Sequence, residues 1–174
     1  MNTIKNFKKL FLTGLLVVAL PAFSMAQFGP RIGDWEMTIG GSGANDNSFN
    51  EFDGRLSATV GTYLTDEWLV SVRQGIGRAG GNTRGSTHVA ADYHFRFDPR
   101  WLPFVGVNVG GFYGSGSSNT FSAGLEGGVK YYVHPQTFVF GMVEYHWQFS
   151  RTRFVADEFS DGVFLYSVGV GFNF

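Results

Sequence analysis

The chain has 174 residues, with 13 Lys and Arg against 14 Asp and Glu, and no cysteine. The missing cysteine excludes a disulfide framework and a cysteine-borne lipid anchor. Glycine (25) and phenylalanine (19) are both abundant; disordered chains are poor in aromatics, so this pairing points to tightly curved strands with packed faces.

Residues 1–26 read as a cleaved secretory signal. Lys5, Lys8 and Lys9 form a positive start, Leu10 to Leu20 is apolar apart from Thr13 and Gly14, and Ser24-Met25-Ala26 offers small residues for cleavage. An apolar run of about eleven residues is too short to span a bilayer about 30 Å thick, so a membrane anchor is the weaker reading. Residues 27–174 then form one domain, with ten bases against all fourteen acids and a net charge of −4. That balance gives no electrostatic basis for nucleic-acid binding.

Turn signals divide the domain into eight segments, near 33–43, 50–64, 68–78, 86–97, 101–113, 121–133, 137–149 and 162–174. Thr65-Asp66-Glu67, Asp98-Pro99-Arg100 and His134-Pro135-Gln136 read as tight turns. The stretches 44–49, 79–85, 114–120 and 150–161 read as longer polar loops, so short and long connections alternate. The last segment shows the period best. Its even positions, Phe164, Tyr166, Val168, Val170, Phe172 and Phe174, are large and apolar, and from Ser167 on the odd positions are small or polar. Period-2 alternation gives a strand two chemically different faces.

The same alternation assigns faces throughout. Trp35, Ile39, Val60, Trp68, Val72, Val107, Leu125, Val143 and their like fall on one face, with Gln74 its single polar residue. Glu36, Arg55, Arg73, His88, Asp92, His94, Arg96, Asn108, Glu126, Lys130, Glu144 and His146 fall on the other. Aromatics cluster at both ends of the segments. An apolar outside with aromatic girdles and a polar inside is the pattern of a transmembrane β-barrel, expected here as an all-β, eight-stranded antiparallel up-and-down barrel. An even strand count lets the last strand pair with the first, leaving no open edge in the membrane.

A signal segment, eight amphipathic strands and the closing Val168-Gly169-Val170-Gly171-Phe172-Asn173-Phe174 together resemble the small outer-membrane β-barrel family of Gram-negative bacteria, the outer-membrane-protein-A-like and opacity-protein-like surface antigens. The resemblance implies an integral outer-membrane location and lipid and lipopolysaccharide surroundings. It also implies that Tyr166, Val168, Val170, Phe172 and Phe174 are the strand read by the barrel assembly machinery. A monomer is expected, and the chain has no residues for a peptidoglycan-binding domain.

Several chemistries compete for the polar residues. Gly75-Ile76-Gly77-Arg78-Ala79-Gly80 fits G-x-G-x-x-G, but no helical pattern follows to receive a pyrophosphate. His88, Asp92 and His94 spread over about 20 Å of one strand and cannot share a metal, so neither metal nor cofactor is expected. Pairing symmetric about Pro135 sets Glu126 opposite Glu144. Paired carboxylates can hydrolyse glycosides, but an eight-stranded barrel has room inside only for its own side chains. The expectation is a lumen ion network of Glu36, Arg55, Arg73, Asp92, Arg96, Glu126, Lys130 and Glu144, with Arg55 or Arg73 reaching both glutamates. Arg84, Arg151 and Arg153 are candidates for lipopolysaccharide phosphate contacts. The expected role is therefore structural or surface-interacting, with a plugged lumen and no catalytic residues. The alternatives are a lipid-modifying enzyme such as a lipid A deacylase, whose His-x-Ser pair has no match here, and a narrow channel.

Overall fold

A computed structural model describes residues 28–44, 53–79, 82–114, 120–149 and 162–174; the expected signal segment and its cleavage site lie outside them. Eight strands follow one another: β1 (Trp35–Ala44), β2 (Asp53–Tyr63), β3 (Trp68–Ala79), β4 (Asn82–His94), β5 (Trp101–Gly114), β6 (Thr120–His134), β7 (Thr137–Phe149) and β8 (Gly162–Asn173). Each is antiparallel to the next, and β8 returns to β1 to close a barrel. At the seam Ile39 faces Val170 and Gly40 faces Gly169. The C-terminal Phe174 exchanges both backbone hydrogen bonds with Trp35, at 2.9 Å each.

The two faces are those the alternation predicts. Ile39, Leu56 and Val168 point outward and are 64%, 65% and 69% exposed, whereas Glu126 and Lys130 point inward and are 5% and 4% exposed. An apolar belt of this extent cannot rest in water, and lipid is the solvent that accepts it.

One connection departs from expectation. β4 starts at Asn82, not 86, and Ala79 sits opposite Asn82, so the stretch 79–85 is mostly a paired hairpin. Thr83-Arg84-Gly85 is polar and glycine-bearing, hence its loop-like composition. β5 runs to Gly114, however, and gives Arg84 and Gly85 ladder partners, Gly114 and Tyr113. The alternation of short and long connections therefore fails between β3 and β4. The other three expected loops lie wholly or largely outside the described residues.

The end where residues 28–34 enter β1 and Phe174 closes β8 carries the tight turns. Thr65 Oγ1 accepts from the backbone of Glu67 and Trp68, and Asp98 Oδ1 from that of Arg100 and Trp101, so short side chains stand in for backbone acceptors. Residues 28–34 cross this turn end. Gly33, at φ 86°, bends the chain into β1 and donates to Tyr63 O at 2.8 Å; a Cβ is disfavoured there. Phe28 packs on the buried cluster of Leu102, Tyr132 and Phe138, with Arg100 5.0 Å above its ring.

The abundance of both glycine and aromatics has a shared cause. Inward glycines leave slots that rings fill: Phe104 against Gly128, Phe140 against Gly169 and Phe138 against Gly171. At each slot a built Cβ would lie under 3.0 Å from the ring. A closed ladder has no fraying edge, so the folded protein should stay compact in dodecyl sulfate until boiled and then migrate more slowly. An identical mobility before and after boiling would contradict closure.

Candidate functional site

Inward positions of β3, β6 and β7 meet at mid-height in the barrel. The β6–β7 register sets Glu126 opposite Glu144, and Arg73 reaches both from the far wall. Its Nη2 lies 2.9 Å from Glu126 Oε1 and its Nη1 2.6 Å from Glu144 Oε1. Thr59 accepts from Arg73 Nε at 3.4 Å, Asn108 Nδ2 donates to Glu126 Oε2, and His146 Nε2 lies 3.3 Å from Glu144 Oε1. Two carboxylates this close repel unless a cation lies between them, and a forked guanidinium can address both at once.

A second cluster sits toward the turn end. Lys130 Nζ contacts both Glu36 oxygens, at 2.7 and 2.8 Å, and donates to the Tyr63 hydroxyl at 3.1 Å. Tyr63 in turn donates to Glu36 Oε2 at 2.8 Å. The ammonium lies 5.1–5.6 Å from the ring centres of Tyr63, Phe104 and Phe138. Asn173 donates to Glu36 and accepts from the Tyr132 hydroxyl. Coulomb attraction, cation–π contact and hydrogen bonds thus offset the cost of taking Lys130 and Glu36 out of water.

Two expected members of the network, Arg96 and Arg55, sit toward the ends of the barrel, while a third, Asp92, lies within it beside Glu126. Arg96 donates to the carbonyls of Asp66 and Pro30 at the turn end. β4 stops at His94, so Arg96 is already past the strand and meets the N-terminal segment. Arg55 lies toward the loop end, its guanidinium 5.2 Å over the Phe112 ring, so Arg73 is the base that bridges both glutamates. Asp92 is buried on the network face but forms no ion pair among the described residues. Its Oδ1 has no protein partner and borders, with Ser71, a cavity of about 20 Å³, the room one water requires.

A contact with no sequence signature lies nearer the loop end. His88 Nε2 is 2.9 Å from Ser122 Oγ, and the His88 and His146 rings are 5.0 Å apart. His88 is on β4 and Ser122 on β6. Gly110 on β5 stands opposite both, and its missing side chain lets the imidazole cross the intervening strand. Hairpin register arithmetic could have found this pair; motif spacing could not. A serine on a histidine is nucleophile–base geometry, but Ser122 is 0% exposed, so no lipid carbonyl reaches its oxygen. Among the described residues no group of His, Asp and Glu is arranged to hold a metal ion.

Tyr166, Val168, Val170, Phe172 and Phe174 all project outward from the end of the chain and are exposed. Arg84 is exposed at the loop end of β4, while Arg151 and Arg153 fall outside the described residues.

The comparisons with known proteins agree with this architecture. The N-terminal β-barrel domain of Pseudomonas aeruginosa OprF superposes with a TM-score of 0.65 at 19% identity, covering 83% of this chain and 100% of that one. Neisserial surface protein A gives 0.61 at 16%, covering 81% and 96%. A de novo designed transmembrane β-barrel gives 0.56 at 16%, covering 84% and 100%. No curated protein matches the chain by sequence. The family model for the outer membrane protein beta-barrel domain matches residues 10–174: the chain belongs to that family and is an integral protein of the Gram-negative outer membrane.

Proposed function

We propose that this outer-membrane β-barrel is a plugged, non-enzymatic scaffold whose role is structural or surface-interacting, exercised through its outer end. The observation that carries this reading is the Arg73 clamp, which ties β3 to β6 and β7 across the middle of the lumen. A transporter or channel would need that cross-section for its solute. Lumen cavities of about 20 Å³ favour the same view, since a hydrated ion needs several times that space. The enclosed position of Ser122 argues against hydrolysis of a membrane lipid.

In this proposal the protein is a monomer in a lipid and lipopolysaccharide environment. Tyr166, Val168, Val170, Phe172 and Phe174 present the strand that the assembly machinery takes up. Arg84, Arg151 and Arg153 meet lipopolysaccharide phosphates.

Purified protein in a planar bilayer should show no stable conductance at neutral pH. Large ohmic steps would mean that the clamp leaves a path open. Altered lipid A acylation in a deletion strain would instead restore the enzyme reading.

A further inference from the structure

Among the described residues, acids outnumber bases at mid-height in the lumen. Glu36 and Lys130 neutralise one another, and the three Lys130 donors are spent on the two Glu36 oxygens and the Tyr63 hydroxyl. That leaves Asp92, Glu126 and Glu144 around Arg73, whose donors go to Thr59, Glu126 and Glu144. Arg55 sits toward the loop end over Phe112, and His94 turns its Nδ1 to the Glu67 carbonyl. Even with His146 counted as an imidazolium against Glu144, at 3.3 Å, one carboxylate remains in excess.

The excess falls on Asp92. This residue is 4% exposed, and its Oδ1 has no hydrogen-bond partner. The ladder explains where that oxygen points. Gly106 on β5 stands opposite Asp92 on β4 and opposite Glu126 on β6. A Cβ at Gly106 would collide with Asp92 Oδ1, so the carboxylate leans over the glycine and comes within hydrogen-bond reach of Glu126. The same device joins His88 to Ser122 over Gly110. There a donor meets an acceptor, whereas two ionised carboxylates offer only acceptors. A single proton turns the repulsion into an O–H···O hydrogen bond, satisfies the orphan oxygen and removes the surplus charge.

We propose that Asp92 and Glu126 hold one proton between them at neutral pH: a neutral carboxyl donates to its ionised neighbour across Gly106 and ties β4 to β6. The lumen then contains a proton-binding site as well as a plug. This goes beyond the scaffold reading, which needs only that the cross-section be filled and stands with or without the proton.

Infrared spectroscopy of the protein in lipid vesicles at neutral pH tests the site. A protonated carboxyl has a carbonyl-stretch band of its own, apart from the amide and carboxylate bands, and this band shifts on transfer to deuterium oxide. The parent should show it with the intensity of one carboxyl per barrel. D92N and E126Q should each abolish it, because the new amide can donate to the remaining carboxylate and the surplus charge is gone. D98N, which alters an exposed acid at a tight turn, should leave the intensity unchanged.

Both lumen replacements keep the shape of the side chain. The heat-dependent mobility shift verifies folding, and if one variant does not fold the other decides the matter. Absence of the band in the folded parent overturns the proposal. So does a band that survives D92N or E126Q, since the proton then resides elsewhere, on Glu36 or Glu144. A parent without the band, whose urea midpoint rises in sodium chloride but not in choline chloride, holds a metal cation beside Asp92 instead, which also rejects it.

Discussion

Replacing Arg73 by methionine is expected to lower the stability of the barrel by about 3–5 kcal/mol, because Glu126 and Glu144 are left buried with no bridging cation. Glu126→Gln should be far milder, about 1 kcal/mol, since Glu144 still pairs with Arg73 and Asn108 still has an oxygen to donate to. The triple replacement R73M/E126Q/E144Q should recover most of the loss, because it removes the charges together. Urea titration in lipid vesicles, followed by tryptophan fluorescence, measures all three. An R73M barrel within about 1 kcal/mol of the parent would mean the clamp is not what neutralises the acids.

The second large effect concerns the seam. Gly169 on β8 faces Gly40 on β1 beneath the Phe140 ring. A Cβ at position 169 would meet the Ile39 carbonyl oxygen, come within 2.7 Å of Gly40 Cα, and lie 2.7 Å from Phe140. Two of those three obstacles are backbone, which no rotamer change can move, and close-packed interiors relax little. Gly169→Val should therefore abolish the compact, boiling-sensitive form. Gly141 serves as the control: it is also a strand glycine, but a Cβ there meets nothing within 4 Å. Gly141→Val should keep the mobility shift and the parent's stability to within about 1 kcal/mol. Loss of the shift in both variants, or in neither, would separate the effect from the Gly169 contacts.

Much of the architecture was legible because a strand has period two, and a single register error would place Glu126, Lys130 and Glu144 in lipid together. The Glu126–Glu144 pairing followed from symmetry about Pro135, and it survives the irregularity between Tyr132 and His134 because that shift lies at the turn, below the pair. What spans the barrel was not legible. Lys130 and Glu36 are 94 residues apart, and the stagger that brings them level depends on shear, which no local pattern encodes. The same ignorance left Arg55 and Arg73 undecided. Arg96 was misplaced for a different reason: alternation continues in the sequence after the strand itself has ended. The β3–β4 hairpin was misread because polar, glycine-bearing composition marks a turn equally well as a ladder that has risen beyond the lipid. Ser122 and His88 meet only through the gap at Gly110, and a gap is a property of the neighbour.

The segment that carries Phe28 and Pro30 gives the two ends of the lumen unequal access to solvent. Toward the tight turns, Phe28, Leu102, Tyr132 and Phe138 form an apolar stopper beneath Lys130 and Glu36. Toward the loops, polar and charged groups such as Arg55, His88 and Glu144 line the passage instead. Hydration of the interior is then directional, with water arriving from the loop end and advancing toward the tight turns. In deuterium oxide, side chains and amides around Ser122 and His146 should exchange earlier than those around Tyr63 and Lys130, and truncation of Phe28 should erase that gradient.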